Sequence, residues 1–458
     1  MQETFKRNHR EGGVALVIAL LVLAILSVLA ASVMLVTQTE TWSATNNRSM
    51  LQARYAAEAG AQKALNYLRY NYVAPANPAA TFNLTKYPAQ FNGNDVVLSA
   101  MTGVNANYPD AAVQTAFRNT LMDASVPGVG VPASYEVTAK LLSIRAGVIQ
   151  TWEITSQGNV PSVRNAQVQV VMRVERSGTP LLTYAVFGTG NGCADLNLSG
   201  GALTNSFDSS AGTYAATAQA SGGDVGSNGN VTLGGATTQV QGNISVLNPT
   251  QGACAAGADI TSSSGAGAFQ GTTTLSAPQT YPLPLPISPA APTTNQSYAA
   301  NTTLPPGNYG NVNMSGGKTL TLSPGTYNLN SLVLSGNSQL QISPPGQVII
   351  NIQGTGAVNA VDLSGGTIAN TSDIPLNLQI NYDGSQPILL SGGSGSYGIV
   401  YAPNSPITIS GGADWYGAVL GKSFTDSGGS AVHFDRSLLQ NLVLPGPYYP
   451  ISFTWSKF

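Results

Sequence analysis

The sequence predicts two architectures in series: an α+β region in which one long N-terminal helix lies on a small antiparallel sheet, then a mainly-β domain built as a parallel β-helix. Three observations predict this. Residues Val14 to Val36 form an uncharged apolar run that opens a stretch without proline as far as Pro75. Three segments of alternating apolar and polar residues follow between Tyr135 and Val174. From about Tyr184 the chain becomes a series of short apolar segments between Gly-, Ser- and Asn-rich turns, and one four-residue signature recurs along it.

The apolar run holds 23 residues, and at ~1.5 Å per residue it makes a helix about 35 Å long, enough to cross a hydrocarbon core of about 30 Å. Ahead of it stand Lys6, Arg7, His9 and Arg10 and the pair Gly12-Gly13. A secretory signal has an apolar region of about 7 to 15 residues followed by a small-residue cleavage site, whereas here the helical pattern continues, so the run is expected to be kept. The basic flank places residues 1–13 in the cytoplasm and the bulk of the chain outside it, a single-pass inner-membrane topology.

Past Val36 the chain turns polar without breaking. Its second half carries Leu51, Tyr55, Leu65, Leu68 and Tyr72 at spacings near three and four, with Ala53, Ala56, Ala57, Ala61 and Ala64 between them, a stripe that can lie on a sheet. The fragment Ala56-Ala57-Glu58-Ala59-Gly60 gathers small residues that let another backbone approach closely; a good helix-forming stretch and nothing more is the alternative. The helix is expected to continue over 37–74 and to end at a linker with Pro75, Pro78 and Pro88. An α+β region is expected over 75–180, with weak local signals up to about residue 130. Beyond it Tyr135, Val137, Ala139 and Leu141, then Trp152 and Ile154, then Val168, Val170, Met172 and Val174 alternate with polar neighbours, as strands with one covered face do.

Only 8% of the 458 residues are charged, against roughly 25% in ordinary soluble domains. The formal net charge of −2 supplies no field to draw in nucleic acid. The two cysteines, Cys193 and Cys254, lie beyond the membrane segment. Outside the cytoplasm an even pair reads as a disulfide, which in the chain-entropy picture contributes on the order of 4 kcal/mol; two unpaired buried thiols are the alternative.

The first part of the chain resembles the N-terminal region of PilX-class type IV pilus assembly proteins. The resemblance rests on the basic leader, Gly12-Gly13, Val14-Ala15-Leu16-Val17, the long apolar helix, Ala56-Ala57-Glu58-Ala59 and a terminal strand. It implies that a prepilin peptidase cuts after Gly13, removing the 1–13 leader, and that Val14 becomes an N-methylated terminus. The 14–36 helix would then leave the bilayer for the core of a filament, with other pilin or minor pilin subunits as partners. Most pilins carry Glu at the fifth mature position, where this chain has Ile18. In the family that carboxylate is thought to pair with the terminal amine of an adjacent subunit. A subunit without it suits the tip of a filament, like the tip-located minor pseudopilins of type II secretion; the alternatives are that the position drifted or that the chain never polymerises.

In the second part, expected over 181–445, Leu198-Ser199-Gly200-Gly201 recurs as Met314-Ser315-Gly316-Gly317, Leu334-Ser335-Gly336-Asn337, Leu363-Ser364-Gly365-Gly366, Leu390-Ser391-Gly392-Gly393 and Ile409-Ser410-Gly411-Gly412. The copies from Ser315 to Ser410 lie 19 to 29 residues apart. Pro306-Gly307-Asn308-Tyr309 returns as Pro324-Gly325-Thr326-Tyr327. Spacing near 20, with two or three short strands per unit, fits a coil of a parallel β-helix; a β-sandwich or jelly roll is the alternative. Pro282, Pro284, Pro286, Pro289 and Pro292 make an extended segment that can cross from one coil set to another, and 446–458 is expected to be a C-terminal tail. This part resembles the β-helical extracellular domains behind PilX-type N-termini in some bacterial surface proteins, through residues 205–210, Gly223-Asp224-Val225-Gly226 and Val432-His433-Phe434-Asp435.

Some β-helices cleave acidic polysaccharides, and the candidate acids and bases here are Asp362, Asp383, Asp414, Asp426, Asp435, Arg436 and His433, scattered at one or two per coil. Glycoside hydrolysis needs two carboxylates at fixed reach, and a satisfied structural role is the expectation for His433. Asp195, Asp208 and Asp224 are candidate calcium ligands but read first as turn formers. No catalytic, cofactor or metal site is expected. The reading is a non-enzymatic minor pilin-like subunit with a β-helical head for adhesion or assembly, whose ligand would be a surface glycan or a host-cell molecule. The alternative is a membrane-anchored β-helical protein binding or processing polysaccharide outside any filament.

Overall fold

The computed structural model describes the chain except residues 1–10, 76–77, 123–124, 127–131, 162–164, 194, 248–259, 285–286, 288–289, 344, 392–395, 413 and 458. Contacts divide it into two units: residues 1–177 together with 445–458, and Gly178–Leu444. The second unit is thus inserted into the first.

In the first unit a single α-helix runs for 60 residues, Glu11–Tyr70. Its C-terminal part lies on the antiparallel strands Ala133–Arg145, Ile149–Val160 and Ala166–Pro180. The buried helix positions are Ala53, Ala56, Ala57, Ala61, Ala64, Leu65, Tyr67 and Leu68. Leu51 and Tyr55, expected within the apolar stripe, are instead 50% and 60% exposed. The reason is close approach at the upstream end. A Cβ at Gly158 would collide with the Ala53 carbonyl and the Ala57 amide, and one at Gly60 with the Tyr135 ring and Ser156. Helix and sheet meet almost backbone to backbone, so alanines rather than leucines fill the contact.

The linker region contains a helix that sequence reading left unassigned, Ala111–Leu121. Asp110 caps it by accepting from the amides of Ala112 (2.8 Å) and Val113 (3.3 Å). Its buried Phe117 meets Tyr67 edge-on at 5.2 Å.

The C-terminus departs from expectation. Residues 446–458 are not a tail: most of them belong to the strand Val443–Lys457, which joins the sheet beside Ala166–Pro180. Arg176 Nε donates to the Gly446 carbonyl (3.1 Å) and Ser177 Oγ to that of Pro447 (3.0 Å). Tyr448 is buried, and its hydroxyl donates to Gln150 Oε1 at 2.7 Å. Pro445, Pro447 and Pro450 hide this strand from a sequence reading, yet an edge position tolerates residues that cannot donate to a ladder.

In the second unit the named strands pair only in parallel. One column of facing residues reads Val312, Leu332, Val361, Ile388, Ile407, Phe424, Leu196, Val231, Ile260. A second reads Tyr327, Ile350, Ile380, Val400, Val419, Val186, Val225, Ile244. Each column buries apolar side chains rung against rung. In three copies of the repeated signature the Gly-Gly pair sits at a corner: Gly200, Gly201, Gly316, Gly317, Gly411 and Gly412 all have φ between 66° and 94°, and in a fourth Asn337 has φ 57°; Gly392-Gly393 lie outside the described residues. On the outer surface Asn308, Asn328, Asn351 and Asn381 pair amide to amide at 2.7, 3.0 and 3.2 Å.

Spatial order and chain order differ. The rungs of 186–275 stack on one side of a seam and those of 295–435 on the other, so that Leu196 faces Phe424. The proline-rich segment makes the return crossing between the two sets. Asn228 grips Gln279 through both backbone groups (2.7 and 2.8 Å), Tyr401 donates to the Pro282 carbonyl, and Asn311 donates to that of Thr293 (3.0 Å). Pro286 and Pro289 lie outside the described residues.

Candidate functional site

The N-terminal half of the long helix is exposed along its described side chains. Residues 14–48 are all exposed, Val14 by 61% and Ile18 by 57%, and the first charge after Gly13 is Glu40. Such a surface demands an apolar surrounding. Hydroxyls on it are already prepared for one, because they donate to carbonyls of their own helix: Ser27 to Leu23 (2.7 Å), Ser32 to Leu29 (2.8 Å), Thr37 to Val33 (2.8 Å) and Thr39 to Leu35 (2.8 Å). By length and composition the segment can cross a membrane. Gly12 and Gly13 stand in the first turn of the helix, and residues 1–10 lie outside the described residues.

Cys193 is disulfide-bonded. Cys254 lies outside the described residues.

The seam gathers the sequence fragments singled out around Asn205 and His433. Strand Leu203–Phe207 pairs in parallel with Ala431–Asp435, setting Asn205 opposite His433. Asn205 Oδ1 and His433 Nδ1 are 2.6 Å apart, with the imidazole N–H the donor, and Asn205 Nδ2 donates to Tyr214 Oη at 2.8 Å. Tyr214 and Tyr416 lie against the imidazole at 4.3 and 4.5 Å, and Tyr416 stacks on Tyr397 at 4.4 Å. Burial pushes the His433 pKa down to about 4, so the ring is neutral near neutral pH. Asp435 is buried and accepts from the amide and hydroxyl of both Ser209 (3.0 and 2.6 Å) and Ser437 (3.0 and 2.8 Å), while Arg436 donates to Ser206 Oγ at 2.7 Å.

This arrangement ties a seam rather than poising a reaction. The Asp435 oxygens are saturated, and its neighbour His433 is held by Asn205 under aromatic cover. Asp362 accepts from Asn359 (3.0 Å) and the Ser364 amide (3.0 Å) in a turn of its own. Asp426 differs: it is buried with no well-formed hydrogen bond to either carboxylate oxygen, and the polar groups that approach it are the hydroxyl and amide of Ser430. Desolvation raises its pKa to about 7, and raises that of Asp414 as well. Of the three candidate calcium ligands, Asp195 accepts from the Gly192 amide and Asp208 from Ser210 N and Oγ (3.0 and 2.6 Å) within local turns, and Asp224 accepts from the amide of the distant Asn243 (2.7 Å). Among the described residues no three His, Cys, Asp or Glu converge as a metal site would require.

Sequence reading named His433, Asp435, Arg436 and Asp426 but had no means of joining them to Asn205, Ser206 and Ser209, which lie more than two hundred positions away. Tyr214 and Ser437 carried no sequence signal.

Two family models match the chain. PilX N-terminal covers residues 12–62, and a domain of unknown function (DUF7305) covers 293–441. The second match begins where the proline-rich crossing delivers the chain to the rungs of 295–435. A search of curated proteins returns no match. Among solved structures, the competence-associated pilin ComZ from Thermus thermophilus is similar at 15% identity over 90% of this chain and 98% of that one, with a TM-score of 0.27. A superposition that loose carries no argument about fold.

Proposed function

We propose, from the premise that this chain is type IV pilin-like with an N-terminal segment of the PilX kind, that it is a minor pilin-like subunit of a type IV pilus or related filament. A prepilin peptidase cuts after Gly13 and Val14 is the mature, methylated terminus. The helix waits in the inner membrane and is then drawn into the filament among other pilin or minor pilin subunits, leaving the bulk of the chain outside the cell. The observation that carries this reading is the fully exposed apolar helix from Val14 to Val36, whose hydroxyls are satisfied internally, within a region matched by the PilX N-terminal family.

Ile18 supports placement at the tip or in initiation. A carboxylate buried in a filament core must find a partner charge, and a side chain without charge makes no such demand on a subunit ahead. The parallel rungs of residues 186–435, read as coils of a β-helix, form a non-enzymatic head for adhesion or assembly, and Cys193 and Cys254 close a disulfide loop on it. The amide- and tyrosine-bearing surface suits a surface glycan or a host-cell ligand. The second reading, an anchored β-helical protein that binds or processes polysaccharide without polymerising, draws on the same surface.

The mature N-terminus separates the two. Intact mass and N-terminal sequencing of protein from cells with an active prepilin peptidase are expected to show a chain starting at Val14 and carrying one extra methyl. Retention of residues 1–13 would overturn the pilin reading.

A further inference from the structure

Asp426 stands where the core expects a hydrocarbon. Its column across the parallel rungs reads Leu390, Ile409, Asp426, Leu198, Leu233. Leucine or isoleucine fills the neighbouring positions on both sides, and the carboxyl between Ile409 and Leu198 is 1% exposed. Neither of its oxygens has a well-formed hydrogen bond; the Ser430 hydroxyl and amide approach it and favour the charged form, but burial outweighs them. The position is also topologically special. Ile409 belongs to the same run of rungs as Asp426, whereas Leu198 belongs to the set that docks from across the seam.

The surrounding backbone is the seam itself. The Phe424 amide donates to Asp195 (2.7 Å), Ser199 Oγ donates to the Asp426 carbonyl (3.0 Å), and the Leu203 amide donates to the Ser430 carbonyl (3.1 Å). Each of these bonds joins residues more than two hundred positions apart, with no chain continuity to hold them.

We propose that Asp426 is a proton-operated latch on this seam: as a neutral acid it packs between Ile409 and Leu198 and the two sets of rungs stay docked, and as a carboxylate it loosens them. An ionised carboxylate in this column has no cation to meet. Ile409 faces it from the preceding rung, Leu198 and Ser199 from across the seam, Ser430 from the following turn, and the acid whose charge it feels is Asp414 on its own strand, which opposes ionisation further. On the adjoining face of the seam, His433 titrates well below neutrality.

The sign follows from linkage. The folded acid holds its proton up to about pH 7, whereas an exposed one releases it near pH 4. Opening therefore becomes easier as pH rises between those values, about tenfold per pH unit for one proton, and levels off above about pH 7.

The test uses the full chain in detergent micelles from about pH 5 to about pH 8. Amide hydrogen exchange is followed at Leu203 and Phe424, whose amides cross the seam, in the wild type and in Asp426→Asn and Asp426→Leu. The ratio of wild-type to Asp426→Asn exchange at a given pH removes the intrinsic rate. The expected result is a ratio that rises about tenfold per pH unit and flattens near pH 7, with Asp426→Leu behaving like Asp426→Asn. Asp426→Leu matches its column neighbours and serves alone if the asparagine variant does not fold. A ratio independent of pH would overturn the proposal. So would a pH dependence abolished by Asp414→Asn while Asp426→Asn leaves it intact.

Discussion

Asp435 shows what a buried acid costs when it is paired and what its loss would cost. It takes four hydrogen bonds from Ser209 and Ser437, so Asp435→Ala leaves both amides without their acceptor and the two hydroxyls with only each other (3.1 Å). Hydrogen bonds to charged groups contribute about 1.5–3 kcal/mol each, though not additively. The variant is expected to lose at least about 3 kcal/mol in denaturant unfolding, and a loss below about 1 kcal/mol would contradict the role given to this residue. Asp426 is the opposite case, an acid approached by Ser430 alone among polar side chains, in an otherwise apolar column. The identities of these residues were legible in the sequence as a set of scattered acids and bases. Their grouping was not, because Asn205 and His433 meet through a pairing that skips the whole intervening chain, and no local period records such a contact.

The elements differ in how openly the sequence declares them, for physical reasons visible at particular positions. Absence of proline and the continuous periodicity were enough to place a single helix from the leader to the residues before Pro75. Alternation was enough for the three strands beneath it. The choice of buried stripe went astray at Leu51 and Tyr55 because periodicity reports which positions share a face, and not how close the partner comes. Gly158 sets that distance. The helix Ala111–Leu121 had a legible start, an Asp after Pro109, but too short an apolar pattern to stand out. The C-terminal strand was masked by its prolines. Its place in the sheet gives a direct check through Tyr448, which is buried against Tyr72 (6.4 Å) and bonded to Gln150. Tyr448→Ala is expected to destabilise the first unit by about 3 kcal/mol, as large-to-small aromatic changes in cores do. Thermal or denaturant unfolding indistinguishable from wild type would return residues 446–458 to the status of a tail.

For the whole molecule, the insertion is the organising fact. The chain leaves the first unit after Ser177, builds the parallel rungs, and comes back at Pro445 to complete the sheet it left. The two ends of the inserted unit lie side by side, with the Leu181 amide donating to the Leu442 carbonyl at 2.9 Å, and adjacent ends are what allow one domain to be carried within another. The first unit therefore cannot be completed until the last residues of the inserted unit have been made. A chain built this way joins the inserted unit to a helix whose exposed apolar surface suits a bilayer or a bundle of similar helices. The most direct test of that claim is the location of the protein on isolated filaments, by electron microscopy with a label on the inserted unit. The account expects label on filaments, concentrated at one end. Filaments without label, with the protein confined to the membrane fraction of the same cells, would contradict it.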